Sequence, residues 1–291
     1  MSTPATLVLG ATGRIGAILR AAWAPGDALW QARPGAAPRG AAGAADPWVI
    51  ADPLADAGAL ERAGQGMGRG IDTVLCLAGV TNAAAAAGAD IADNIRLGTA
   101  AVRLGAALGA RVLLASSAAV YGSEQGLLRE DRALAPLSDY GRAKAEMEAE
   151  GARLGQDLGV EVTALRIGNI AGLDAILGDW RPGFALDRFA DGRTPRRSYI
   201  GVATLARVLE RLVRTPGLPP VLNVAAPGMV GMGALLDAAG LAWTPRPASE
   251  EAIPEVALDV ARLVAFHPFT PQDSLPAAMV AEWRATEQGR A

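Results

Sequence analysis

Lysine, histidine and cysteine each occur once in this 291-residue chain, and aromatic residues make up only 4% of it. The single cysteine, Cys76, excludes a disulfide framework and a cysteine-based metal cluster, and its apolar surroundings point to a small buried hydrophobe. One histidine, His267, cannot build a His-rich metal centre and argues against a Ser-His-Asp enzyme. The 27 basic residues are dispersed and outnumbered by 30 acidic ones, so the electrostatic footprint of a nucleic-acid partner is missing. No stretch approaches the ~20 apolar residues of a membrane span, and the first residues lack the basic and apolar regions of a signal peptide. The expectation is a cytoplasmic protein that works on a small molecule, without a metal, a membrane or a nucleic acid.

What is abundant is alanine, with 64 copies beside 35 glycines and 19 prolines, so the 51% hydrophobic content describes helix packing more than a greasy core. Short apolar runs alternate with alanine-rich helical stretches. Thr6–Leu9, Ala28–Ala32, Trp48–Ala51, Thr73–Ala78, Val112–Ser116, Val160–Ile167 and Val221–Val224 read as strands. Arg14–Trp23, Asp90–Leu108 and Tyr140–Leu158 read as helices, the last weakened by Gly151 and Gly155. This alternation predicts an α/β fold, a Rossmann-type doubly wound parallel sheet with a smaller C-terminal substrate lobe. The boundary is expected near residue 170: 1–170 for the dinucleotide domain, 171–291 mainly for the lobe, with some elements returning to the sheet. Gly35–Ala45 reads as a low-complexity surface loop and Ala83–Ala87 as a weak helix start.

Directly after the first strand comes Gly10-Ala11-Thr12-Gly13-Arg14-Ile15-Gly16, a glycine-rich turn opening a helix. Such a turn lets a pyrophosphate approach the backbone and rest on the helix N-terminus, so these seven positions predict a dinucleotide cradle. An acid about 20 residues further on would meet the ribose of NAD. Here the second strand runs out at Gln31-Ala32-Arg33. Arg33, and Arg14 inside the turn, are therefore expected to read the extra phosphate of NADP, which is favoured over NAD. Asp52, after the third strand, is placed to hydrogen-bond the adenine or to start the next helix.

The only lysine, Lys144, follows Tyr140 by four places, so both share one face of a helix. A lysine ammonium bonds ribose hydroxyls and stabilises a phenolate in a way that a planar guanidinium does not reproduce. Bringing a phenol from a pKa of about 10 to about 7 takes about 4 kcal/mol. A unit charge roughly 5 Å away supplies about 3 kcal/mol at an effective dielectric of about 20. Ser116-Ser117 closes the Val112–Ser116 strand, placing a hydroxyl at the crevice edge where α/β sheets bind ligands.

Together these residues resemble the extended short-chain dehydrogenase/reductase family, in its NAD(P)-dependent epimerase/dehydratase branch, over nearly the whole chain. Gly10, Gly13 and Gly16 have the family's glycine spacing. Leu77-Ala78-Gly79-Val80-Thr81 is similar to its strand-four loop, which implies cofactor contacts at Leu77, Ala78 and Gly79 and a substrate contact at Thr81. Asn94-Ile95-Arg96-Leu97-Gly98-Thr99 resembles its N-x-x-G-T helix, with Asn94 on the cofactor side. The resemblance assigns Ser117, Tyr140 and Lys144 as the catalytic Ser/Tyr/Lys set, Ser117 and Tyr140 also touching substrate. Leu165–Gly172 is similar to the segment that runs from nicotinamide to substrate and implies a contact at Asn169. Arg197-Ser198-Tyr199-Ile200-Gly201-Val202 and Val221-Leu222-Asn223-Val224 resemble later family stretches. Ala118 and Ala119 occupy the places where sugar dehydratases of the branch carry Asp-Glu, which disfavours a 4,6-dehydratase.

The expected activity is hydride movement at a secondary alcohol or ketone of a sugar-like, nucleotide-linked substrate. A carbonyl reductase of a small ketone using NADPH and a non-catalytic dinucleotide sensor are the alternatives. Trp180, Arg181, Arg196 and Arg197 serve either a base and phosphates or ordinary lobe packing. A homodimer through the Asp90 and Tyr140 helices fits the family.

Overall fold

The computed structural model describes residues 6–36, 47–68 and 70–288. Most of the Gly35–Ala45 stretch lies outside them. In chain order the first part comprises β1 (Thr6–Leu9), α1 (Arg14–Ala22), β2 (Ala28–Ala32), β3 (Trp48–Ile50), α2 (Ala57–Gln65), β4 (Thr73–Cys76), α3 (Asn82–Ala86) and α4 (Asp93–Leu108). Then come β5 (Arg111–Ser117), β6 (Leu127–Leu128), α5 (Asp139–Leu158), β7 (Val162–Ile167) and β8 (Asn169–Ile170). The remainder comprises β9 (Ala185–Arg188), β10 (Arg196–Arg197), β11 (Tyr199–Ile200), α6 (Val202–Arg214), β12 (Val221–Val224), β13 (Val230–Gly231) and α7 (Met232–Ala238). It closes with β14 (Thr244–Pro247), β15 (Glu255–Leu258), α8 (Ala261–Val264) and α9 (Pro276–Gln288).

Seven strands form one sheet in the order β12-β7-β5-β4-β1-β2-β3, and all six pairings are parallel. Strands such as TLVL and TVLC are apolar at nearly every position because both faces are covered. Val8, Leu75, Leu113 and Leu165 face α1 and α6, whereas Leu7, Leu9, Val74 and Leu114 face α2, α4 and α5. The order reverses between β1 and β4, which opens a crevice at the C-terminal strand ends.

The glycines that weaken α5 on propensity grounds have a packing reason. A Cβ on Gly151 would stand 2.6 Å from the Leu114 side chain, and one on Gly155 would stand 2.6 Å from that of Val162. Glycine thus brings α5 down onto the sheet and fixes the height at which its first turn meets the crevice.

Beyond β8 the chain builds a lobe of short strands, with β10 paired to β13 and β15, β15 to β6, and β9 to β14. Its core gathers Ile176, Leu177, Leu186, Tyr199, Leu235, Leu236, Met279 and Val280. α6 and β12 return to the main sheet. α9 is pinned by Glu282, whose Oε2 accepts from the Ala203 and Thr204 N–H groups at 2.9 and 3.0 Å, capping α6 where Gly201 offers no side chain.

Candidate active site

At the end of β1 the chain turns through Gly10 at φ +79°, where a Cβ would lie 2.6 Å from the Ala78 nitrogen. Gly16 is equally tight, its Cβ position 2.4 Å from the Ala11 carbonyl oxygen. Gly13 caps α1 without a side chain, so the first N–H groups of the helix are left for an anion. This cradle fits a dinucleotide pyrophosphate. It is braced by Gln31, 1% exposed, whose Oε1 accepts from Gly10 N–H at 2.7 Å while its Nε2 donates to the Ala51 carbonyl at 2.7 Å.

The reacting end is assembled by close backbone approach. Ser117 ends β5 and its hydroxyl accepts from Ala119 N–H at 3.2 Å, starting the 3-10 turn Ala118–Tyr121. α5 begins under the Ser138 cap, which accepts from Gly141 N–H at 3.0 Å. A Cβ on Gly141 would lie 2.6 Å from the Ala119 carbonyl oxygen, so the two turns touch and bring Tyr140 and Ser117 into one cleft. Burial pushes the Tyr140 phenol above its usual value, with Ser117 and the Arg14 charge working the other way.

Lys144 is 5% exposed. Its Nζ donates to the Ala115 carbonyl at 2.8 Å and lies 5.9 Å from the Tyr140 ring centre. Burial brings its pKa down to about 8, opposed by Cys76 and Glu148. The Arg14 charge therefore works with Ser117 against the burial of the phenol, while the Lys144 ammonium, beside the same ring, is directed at the Ala115 carbonyl. Across the cleft Asn94, fully buried, clamps Val80 by accepting from its N–H at 3.1 Å and donating to its carbonyl at 2.9 Å. Gly79 fits between them: a Cβ would lie 2.6 Å from Asn94 Oδ1 and 3.2 Å from Lys144 Nζ.

One cleft of about 570 Å³ brings together Gly10, Gly13, Arg14, Ile15, Gly16, Leu77, Gly79, Thr81, Asn94, Ser117, Tyr140, Lys144 and Asn169. Thr12, Arg33, Asp52 and Ala78 do not line it. Ala78 backs Gly10, Thr12 and Arg33 are exposed, and Asp52 accepts from Leu54 N–H at 2.8 Å in a local turn. Thr81 caps α3, accepting from Ala84 N–H at 3.2 Å. A larger hollow of about 810 Å³ lies at the opposite, N-terminal ends of the central strands, around Asp72 and Arg111, and contains none of the motif residues.

Sequence reasoning missed Asp174, and it did not show the partners of Arg14 and Arg197, both named as candidates. Arg14 Nη1 donates to the Leu173 carbonyl at 2.7 Å, bridging glycine turn and substrate segment. Asp174 lines the cleft and accepts from the Tyr199 hydroxyl at 2.6 Å, and burial raises its pKa. Arg197 also lines the cleft, held by the Arg196 and Ile253 carbonyls at 2.8 and 3.0 Å. Isolated polar residues between short strands give no periodic signal. Only their spacing from known motifs was available to point at them.

A doubly wound sheet with a phosphate cradle at its reversal point, beside a serine, tyrosine and lysine, is the architecture of a dinucleotide-dependent enzyme. The chain belongs to the NAD dependent epimerase/dehydratase family, whose model matches residues 6–182. Its cofactor class is NAD(P). Similar solved structures include a tyrosine-to-phenylalanine mutant of UDP-glucuronic acid 4-epimerase from Bacillus cereus, in complex with UDP-4-deoxy-4-fluoro-glucuronic acid and NAD. It is 18% identical, with 97% of this chain and 99% of that one covered and a TM-score of 0.74. TunA, an NAD-dependent NDP-hexosamine 5,6-dehydratase involved in tunicamycin biosynthesis, is 20% identical over 98% of each chain, TM-score 0.75. UDP-glucose 4-epimerase from Thermus thermophilus, in complex with NAD, is 20% identical over 96% of this chain and 98% of that one, TM-score 0.71. At these identities the likeness is one of fold. No curated protein matches the chain.

Proposed function

We propose that this chain moves hydride at a secondary alcohol or ketone of a nucleotide sugar, with epimerisation as the net reaction. The observation that carries the reading is the meeting of Tyr140, Ser117 and Lys144 in the cleft that also holds the glycine turn. A nicotinamide dinucleotide held by the glycine turn and Lys144 would supply the hydride acceptor and donor. The chain's own part is the proton. Tyr140 Oη takes it from the substrate hydroxyl and gives it back, Ser117 Oγ hydrogen-bonds the reacting oxygen, and Lys144 holds the ribose and stabilises the phenolate. Asn94 keeps the Gly79–Val80 loop clear of the ammonium, and Asn169 meets the substrate.

Two features support the substrate class. Arg197 is a half-buried cation bonded to backbone carbonyls, a group suited to a diphosphate. The similar UDP-sugar and NDP-sugar proteins have the same fold. Ala118 and Ala119 offer no acid or base for eliminating water. Arg33, exposed past β2 where a carboxylate would select NAD, supports NADP and favours the second reading, a net reductase. A homodimer through α4 and α5 belongs to the same family picture.

The test incubates the purified protein with NAD or NADP and UDP-glucose or UDP-glucuronic acid and follows the sugar by NMR. Epimer formation that Tyr140→Phe reduces by about 10²-fold or more is the expected result. Stoichiometric NADPH oxidation with a ketone selects the reductase. Dinucleotide binding without turnover of any UDP-sugar or ketone overturns both.

A further inference from the structure

One buried carboxylate beside the site has no task in the scheme above. Glu148 and Arg166 have side chains only 7% and 5% exposed. Arg166 Nε reaches Glu148 Oε1 and Oε2 at 3.1 and 3.0 Å, and its Nη2 reaches Oε2 at 2.8 Å. Ser116 Oγ donates to Glu148 Oε1 as well. The remaining Arg166 nitrogen, Nη1, donates to the Tyr121 hydroxyl at 2.9 Å and the Glu130 carbonyl at 3.0 Å. Tyr121 in turn donates to Asn223 Oδ1 at 2.8 Å. Burial works against the Arg166 charge, yet its bonds to Glu148 and Tyr121 outweigh this and hold its pKa above the ordinary value.

A buried ion pair of this kind is seldom more stabilising than well-packed apolar residues of equal volume. Its placement is informative. Ser116 precedes Ser117 on β5 and lies opposite Arg166 in register on β7. Glu148 follows Lys144 by four residues on α5, so the two are neighbours on one helix face. Arg166 stands three residues before Asn169. The three segments that carry the proton-handling and substrate groups are therefore joined at one carboxylate.

The groups facing Lys144 are Cys76 from β4 and Tyr140 and Glu148 from its own helix. Burial pushes the Cys76 thiol up to about 11, so at neutral pH it carries no charge. Tyr140, raised above its usual value, is also neutral there. Among the titratable groups, Glu148 is left to oppose the desolvation of the ammonium, beside the hydrogen bond to the Ala115 carbonyl.

We propose that Glu148 is the positioning residue of the site: fixed by Arg166 and Ser116, it holds the Lys144 turn of α5 against the Ser117 end of β5 and places its carboxylate one turn from the ammonium. This rests on the reading of Tyr140 and Lys144 as the proton-handling pair.

Because Lys144 is the only lysine, [13C]lysine-labelled protein has a single lysine Cε resonance, and its pH titration reports this one ammonium without any substrate. The wild-type midpoint is expected near 8. Glu148→Gln lowers it by about one pH unit or more, while Glu148→Asp, which keeps the charge, restores it to within a few tenths. If Glu148→Gln leaves Arg166 uncompensated and unfolds, the Glu148→Gln/Arg166→Met double variant takes its place, with a lowering in the same direction but smaller, because a cation is removed together with the anion. An unchanged midpoint in a folded Glu148→Gln or double variant overturns the proposal. A shifted midpoint in a protein that turns over no UDP-sugar leaves the placement of Glu148 standing and removes only the substrate reading.

Discussion

Gln31 and Gly10 are joined by a 2.7 Å hydrogen bond that fixes the first glycine of the cofactor turn to the end of β2. The same carboxamide reaches on to Ala51, so one side chain sets the spacing of three strand ends that line the dinucleotide side of the crevice. Gln31→Leu keeps the volume and strands a buried N–H and a buried carbonyl. Urea unfolding should show a loss of about 1–3 kcal/mol, and titration of NADPH fluorescence should show weaker binding.

Gly79→Ala should be folded and nearly inactive. The new methyl has to displace Asn94 Oδ1 or Lys144 Nζ, and both are anchored. A loss of turnover of about tenfold or more at unchanged melting temperature is expected, since small misplacements of acid/base groups are costly.

Arg14→Met cuts the bridge to Leu173 and removes a cation that works against the raised Tyr140 pKa. Stopped-flow displacement of NADPH should show faster release, and the Tyr140 phenol should titrate at still higher pH in ultraviolet difference spectra. Wild-type release rates would contradict a bridging role.

Lys144 also makes stability depend on pH with a definite sign. The folded chain gives up this proton near 8 and the unfolded chain near the ordinary 10.5, so between those values the unfolded state binds more protons and the unfolding free energy rises with pH. The full window is worth at most roughly 3 kcal/mol. Cys76, raised from 9.0 to about 11, acts in the opposite sense above pH 9, which leaves pH 8 to 9 as the clean interval. Urea unfolding should show the rise there in wild type and its absence in Lys144→Met.

The sheet strands and the helices carrying Asn94 and Lys144 were legible because a strand buried on both faces is a continuous apolar run and an alanine-rich helix has few rivals for its residues. The Tyr140 and Lys144 pair was legible from spacing and from the rarity of lysine, and Ser117 from its place at a strand end and the family resemblance. Glu148 and Arg166 were not, since a glutamate and an arginine 18 residues apart look like solvated charges until the sheet register brings them together. Arg14 was legible as a site residue, but its bond to Leu173 spans 159 residues, which no local pattern contains. The helical glycines Gly151 and Gly155 read as weaknesses and are close-packing contacts with β5 and β7.

The last strand of the main sheet, β12, comes from residues 221–224 and covers the outer edge of β7. Cutting the chain at the lobe boundary would strip that edge and present the unpaired amides and carbonyls of β7 to any passing strand. The nucleotide-binding half of this enzyme is thus not a transplantable module: a shortened version made for fusion or domain exchange should self-associate unless residues up to 224 travel with it.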